Sequence, residues 1–298
     1  MLVDAIRAES YRLSKNRTAL FWSLLFVPVV GLLISAATFI FAKANEAKLA
    51  GKLPPELGLN TAPLDMGAGL VASAAEFANP AVLMFVLIGA ATVFAGDYRW
   101  ETWRLTTARN RRPNLLLGKV VVVVGLTIAA TVAVLIGDIA SNLVKAVVFE
   151  RALTFSLTGA QTADLAWLTL LGWGRIVQFV MLGLLAAVTT RSLLAALFVP
   201  LVVGVGQFFL PKLLASMGVS PDGWLTPLLT PGMAADLLKA VILGGAAAGD
   251  LPPQALAKGV LGLVSWALAP LVDWTSRMTG FWQGRFDDLE DLLKRMDQ

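Results

Sequence analysis

Two ionisable residues sit in long apolar surroundings: Asp138 after VVVVVGLTIAATVAVLIG, and Arg175 after LAWLTLLGWG. A charge in such a place costs ~2.5–3.5 kcal/mol on insertion scales, so each calls for a reason. Asp138, Asn142 and Lys145 recur at helical spacing on one face, as do Arg175 and Gln178. At ~1.5 Å rise per residue, Asp138 and Arg175 stand on the order of 25–28 Å from Lys119 and Arg191, at similar depth. One reading is a polar cluster of Asp138, Asn142, Arg175 and Gln178 that lines an outer gate or substrate path, with Asp138 and Arg175 paired. The other has Arg175 snorkelling to the outer interface while the helix bearing Asp138 projects into water.

The remaining chemistry is narrow. The 298 residues include no His and no Cys. That excludes disulfides, thiol nucleophiles, Cys/His zinc sites and His-dependent triads. Gly118-Lys119 lacks the upstream glycine of a phosphate loop, so nucleotide chemistry belongs to a partner. Composition points the same way, with 57% hydrophobic and 15% charged residues. The mean hydropathy is +0.74. A soluble chain of this length needs far more charge on its surface.

The second concentration of chemistry is Gly96–Lys119, GDYRWETWRLTTARNRRPNLLLGK, a basic and tryptophan-bearing stretch between apolar runs. Arg99, Arg104, Arg109, Arg111, Arg112 and Lys119 oppose only Asp97 and Glu101. Trp100, Trp103 and Leu105 beside Arg99 and Arg104 form the mixture of a protein-docking hot spot. The rival reading sets the tryptophans in the headgroup layer and the arginines on anionic lipid.

The elements that must position these residues read as an all-α, polytopic membrane protein with six transmembrane helices, at about 20–41, 77–95, 120–139, 165–189, 193–214 and 257–274. The third is expected to continue as helix toward Val148. The first run is too long for a signal-peptide core and is read as a retained span. Residues 1–18 read as an amphipathic interfacial helix or a solvated leader. Residues 42–76 read as a mixed-charge loop, and 215–256 as an external loop with a re-entrant or surface helix. Residues 277–298 read as a cytoplasmic amphipathic tail. Lys and Arg concentrate in the N-terminus, the 96–119 segment, Arg191 and the tail, so both termini are expected on the cytoplasmic side.

Phe94-Ala95-Gly96-Asp97-Tyr98-Arg99-Trp100-Glu101-Thr102-Trp103-Arg104-Leu105 resembles the element after the second span of ABC-2 type transporter permeases. In that family an acidic residue, a Gly-Thr pair and a short amphipathic helix precede a Pro/Arg turn and a Lys that opens the third span. Asp97, Thr102, Arg112-Pro113 and Lys119 stand at those positions, and Glu101 replaces the usual glycine. Arg7-Ala8-Glu9-Ser10 and Trp224-Leu225-Thr226-Pro227 are similar to the family as well.

The resemblance implies a permease subunit of the bacterial plasma membrane, an exporter working by alternating access. Its implied partners are a second permease copy, identical or a sister chain, and a cytoplasmic ABC ATPase that carries ATP and Mg2+, with no cofactor in this chain. It further implies that Asp97, Arg99, Trp100, Glu101, Thr102, Trp103, Arg104 and Arg109 belong to a coupling helix docked on the ATPase. The alternatives are an intramembrane enzyme, which needs ionisable side chains converging at one depth, and a non-catalytic membrane scaffold. No motif specifies a substrate.

Overall fold

The computed structural model describes residues 2–49, 62–99, 112–220, 223–244, 251, 254–266, 268 and 272. Among them the architecture is helical: α1 (Leu2–Lys15), α2 (Arg17–Ala44), α3 (Met66–Glu76), α4 (Pro80–Arg99), α5 (Arg112–Val148), α6 (Gly159–Thr190), α7 (Leu193–Ser216), α8 (Leu225–Leu229), α9 (Pro231–Leu243) and α10 (Ala255–Trp266). Helices α2, α5, α6 and α7 are long and apolar enough to cross a membrane, and α3 with α4 makes a fifth if the bent pair is one span. The second half of the expected 257–274 span and the 277–298 tail lie outside the described residues, apart from single positions.

The bundle is built on α4, α5 and α6. Val82, Val86 and Ala90 of α4, Val123, Leu126 and Ala130 of α5, and Ile176, Val180 and Leu184 of α6 are buried at helical spacing. Half of the most apolar 18-residue stretch of α6 is buried and 44% of that of α5, against 6% for α2 and 11% for α7. The outer helices thus give their apolar side chains to the surroundings, as membrane helices do where lipid is the solvent. Close packing then holds the helices together, because lipid supplies no hydrophobic drive between them. Gly172 shows this: a Cβ there would lie 2.6 Å from the ring of Phe77, a fully buried side chain.

Three features add to or depart from the expectations. The 42–76 loop ends in a helix, since Met66–Glu76 forms α3, with the Asp65 side chain accepting from Gly67 N at its start. It meets α4 at 64°. The break falls at Pro80, which has no N–H and biases Asn79 away from helical conformation; the Asn79 side chain then caps Val82 N at 3.1 Å. The helix that covers the expected 77–95 span accordingly begins at Pro80 and runs on through Arg99. Second, α1 is docked on protein: Ala5, Glu9 and Leu13, one side of the helix, are buried where α1 lies along α5. Third, α2 passes through a π-helical turn at Phe21–Leu25, ahead of Pro28, which cannot continue the hydrogen-bond ladder.

At the end of the bundle remote from α1, Leu64–Asp65 and Leu153–Thr154 pair as a two-stranded parallel ladder. Arg151 Nε donates to Ala62 O at 2.7 Å, and the Ser156 hydroxyl donates to Asp65. The α6–α7 turn rests on Arg191, whose left-handed φ of 55° stops one helix while Ser192 caps the next.

Candidate functional site

Two places bring functional residues together. The first is the base of the basic segment. Lys119, in the second turn of α5, is buried, with its Nζ 3.2 Å from Glu9 Oε1 of α1 and donating to the Val93 carbonyl of α4 at 2.7 Å. Arg12 Nη1 lies 3.1 Å from the same Glu9 oxygen. Gly118 lets α1 come this close, since a Cβ there would stand 3.0 Å from the Ala5 methyl. A buried ion pair is worth having only when its remaining donors are satisfied, and the Val93 carbonyl meets that need. The result is a clamp joining α1, α4 and α5 where the 96–119 segment leaves α4 and returns to α5.

Of the expected docking residues, Asp97 and Arg99 occupy the last turn of α4 by backbone. Trp100, Glu101, Thr102, Trp103, Arg104 and Arg109 lie outside the described residues.

The second place is a cavity of about 380 Å³ among α4, α6, α7, the start of α9 and α10. Its walls are apolar except for Arg175, Gln178 and Gln207. Arg175 Nη1 donates to the Pro231 carbonyl at 2.8 Å, and Gln178 Nε2 donates to Leu263 O at 3.2 Å. Trp266 Nε1, at the cavity wall, donates to Leu228 O at 2.8 Å. The Trp266 bond answers a carbonyl that the end of α8 would otherwise leave unmet, while the Arg175 and Gln178 bonds tie α6 to α9 and α10. Helix α9 begins against Arg175, midway along α6, and ends with Ile242 packed near Leu168. Ala234, Ala235 and Leu238 are buried on it and Asp236 is exposed, so this helix packs one face against the bundle.

Asp138 and Arg175 do not meet. Asp138 lies beside Ser73 of α3, and Asn142 packs on Gly69, where a Cβ would be 3.1 Å from Nδ2. Arg175 instead feels Asp236 of α9 across space, and among the described residues no carboxylate forms an ion pair with it. The four expected polar residues therefore divide, Asp138 and Asn142 fastening α3 to α5, Arg175 and Gln178 facing the cavity. Gln207 and Glu9 are the functional contributors whose roles the sequence reading missed. Gln207, polar within an apolar run, carried a signal of the same kind as Gln178.

No group of three or more His, Cys, Asp or Glu side chains that could hold a metal occurs among the described residues. No protein-family model, no curated protein and no solved structure matches the chain.

Proposed function

We propose that the chain is the transmembrane permease subunit of an ABC-2 type ATP-driven exporter of the bacterial plasma membrane, with six spans and both termini cytoplasmic. A second permease copy completes the pathway, and separate cytoplasmic ATPase subunits supply the energy. The observation that carries this reading is the clamp of Glu9, Lys119 and the Val93 carbonyl at both roots of the basic segment. A displacement of that segment is passed to α1, α4 and α5 as one body, because their ends share buried, directional contacts.

In this mechanism ATP binding draws the paired ATPases together, and Trp100 to Arg109 follow the ATPase surface. The clamped helices then shift the permease between inward-open and outward-open states. The chain itself contributes binding surface and leverage, with hydrolysis left to the partner. The intramembrane-enzyme alternative needs ionisable side chains converging at one depth, whereas Asp138 stands beside Ser73 of α3 and Arg175 on the Pro231 carbonyl of α9.

The test is co-expression with a P-loop ATPase encoded beside the chain, followed by capture on a tag carried by the permease. The ATPase is expected to co-purify, and Trp103→Ala with Arg104→Ala to weaken the complex by about thirtyfold or more, as hot-spot truncations do. Undiminished capture of the ATPase by that double variant removes the docking assignment.

A further inference from the structure

The cavity beside Arg175 holds more binding chemistry than its own contacts consume. A guanidinium has five N–H donors in a rigid fork. Arg175 spends one of its nitrogens on the Pro231 carbonyl, and no carboxylate among the described residues pairs with it. Its surroundings are Leu83 and Met84 of α4, Leu182 of α6, and Leu201 and Phe208 of α7. A cation so placed is costly alone and less costly when an anion reaches it. The volume of about 380 Å³ falls in the ordinary range of small-molecule sites. Phe208, at the rim, is 68% exposed and belongs to α7, whose apolar surface is mostly unburied. The cavity therefore has a side door on the lipid-facing surface.

We propose that this cavity binds an anionic amphiphile, its phosphate or carboxylate head held by Arg175 and its acyl chain laid against Leu201 and Phe208 of α7. Gln207 offers the head a neutral donor from the opposite wall. A phospholipid of the bilayer and a free fatty acid share this chemistry. Binding rests on the cavity and not on the permease reading; identifying the bound molecule as the exported cargo rests on both.

The experiment uses the full-length protein in neutral-detergent micelles, without any ATPase. Photoactivatable probes with one acyl chain and either a carboxylate or an alcohol head are crosslinked, and labelled peptides are mapped by mass spectrometry. The acid probe is expected to label peptides around Leu201–Phe208 and Trp266 at least about tenfold more than the alcohol, the discrimination of a charge-assisted hydrogen bond. Arg175→Gln brings acid labelling down to the alcohol level, and Arg175→Lys keeps most of it. Leu201→Trp fills the cavity, leaves Arg175 in place and abolishes labelling by both probes, which keeps the test valid if the Arg175→Gln chain fails to fold. Competition by phosphatidylglycerol but not phosphatidylcholine identifies a bilayer occupant; competition by dodecyl phosphate alone identifies a free amphiphile. Equal labelling by acid and alcohol probes, displacement by neither competitor, or a folded Arg175→Gln chain that labels like the parent overturns the proposal and leaves Arg175 as a clamp on Pro231. A chain that binds the probe yet captures no ATPase loses only the permease reading.

Discussion

Glu9 and Lys119 show how context decides the worth of a charge. Their side chains are 9% and 10% exposed and 3.2 Å apart, so removing Glu9 takes one carboxylate from both Lys119 and Arg12, whereas removing Lys119 leaves Arg12 beside Glu9. Glu9→Gln is expected to cost about 3–5 kcal/mol, Lys119→Met less because Arg12 remains beside Glu9, and the Glu9→Gln/Lys119→Met double variant less than the sum by about 0.5–3 kcal/mol. Reversible unfolding in mixed micelles reads both, and strict additivity would mean that the pair is not a unit. Ser23 is the opposite case, for its hydroxyl is buried without a hydrogen-bond partner among the described residues and pressed on Gly89. Ser23→Ala is expected to be neutral or to stabilise by about 1 kcal/mol, since it removes a desolvated polar group; a loss of stability would reveal a partner for the hydroxyl. Asp65 titrates outside the spans. Hydrogen bonds from the Ser156 side chain, then from Ser156 and Gly67 N–H, hold its carboxyl below the usual carboxylate range. A folded value below the unfolded one gives a contribution that is complete above the unfolded pKa of about 3.9 and is lost as pH falls through the folded value. Protection of the Ser156 amide from hydrogen exchange, corrected for intrinsic rate, should therefore hold from neutrality to about pH 5 and fall below pH 4. Asp65→Asn should remove that pH dependence.

Among the elements, α3 and α9 are the ones that make the bundle more than a set of parallel spans. Each is too short to cross, and each meets a polar residue from a long helix: Asp138 stands beside Ser73 on α3, and Arg175 donates to the Pro231 carbonyl on α9. Lys239 of α9 lies 3.3 Å from Glu76 of α3, so the two short helices also touch each other. The seat of this arrangement is Phe77, between α3 and α4, with its ring on Gly172 of α6. Gly172→Val should destabilise by about 1–3 kcal/mol through overpacking, and pairing it with Phe77→Leu should recover part of the loss. If Gly172→Val is silent in unfolding measurements, the ring has room to move and the α3–α4 corner is not fixed by it. The Pro80 break and the Arg191 corner mark where these elements change direction, one at a residue that interrupts the hydrogen-bond ladder and the other at a left-handed φ.

For the whole molecule, a chain without cysteine invites single-cysteine scanning. A bilayer-borne maleimide should reach Cys introduced for Leu33 or Val202, which are 63% and 65% exposed, and miss Cys replacing Val123 or Val180, which are fully buried. Labelling at Val123 would contradict the central place of α5. Cys at Arg109 and at Ser156 should react with an impermeant reagent from opposite sides, because only α5 separates them; reaction from one side removes α5 as a crossing. Much of this was legible from consecutive residues. The helical membrane class, the four long spans and the exclusion of His- and Cys-based chemistry follow from apolar runs and from residue types alone, since hydropathy sums locally along a helix. Arg175 and Gln178 were legible as significant because charge and amide groups in an apolar run are costly wherever the helix packs. Their partners were not. Glu9 finds Lys119 across 110 positions, Arg175 finds Pro231, and Asp138 turns to Ser73 instead of Arg175. Those choices depend on which helices cross and at what angle, and crossings are set by small residues such as Gly118 and Gly172 fitting the surface of another helix. Residue types and their local order determined that this chain carries helices long and apolar enough to cross a membrane and where its costly groups stand; only tertiary packing decided that one group clamps the roots of the basic segment and another faces an apolar cavity, because a partner in space is fixed by shape and not by position along the chain.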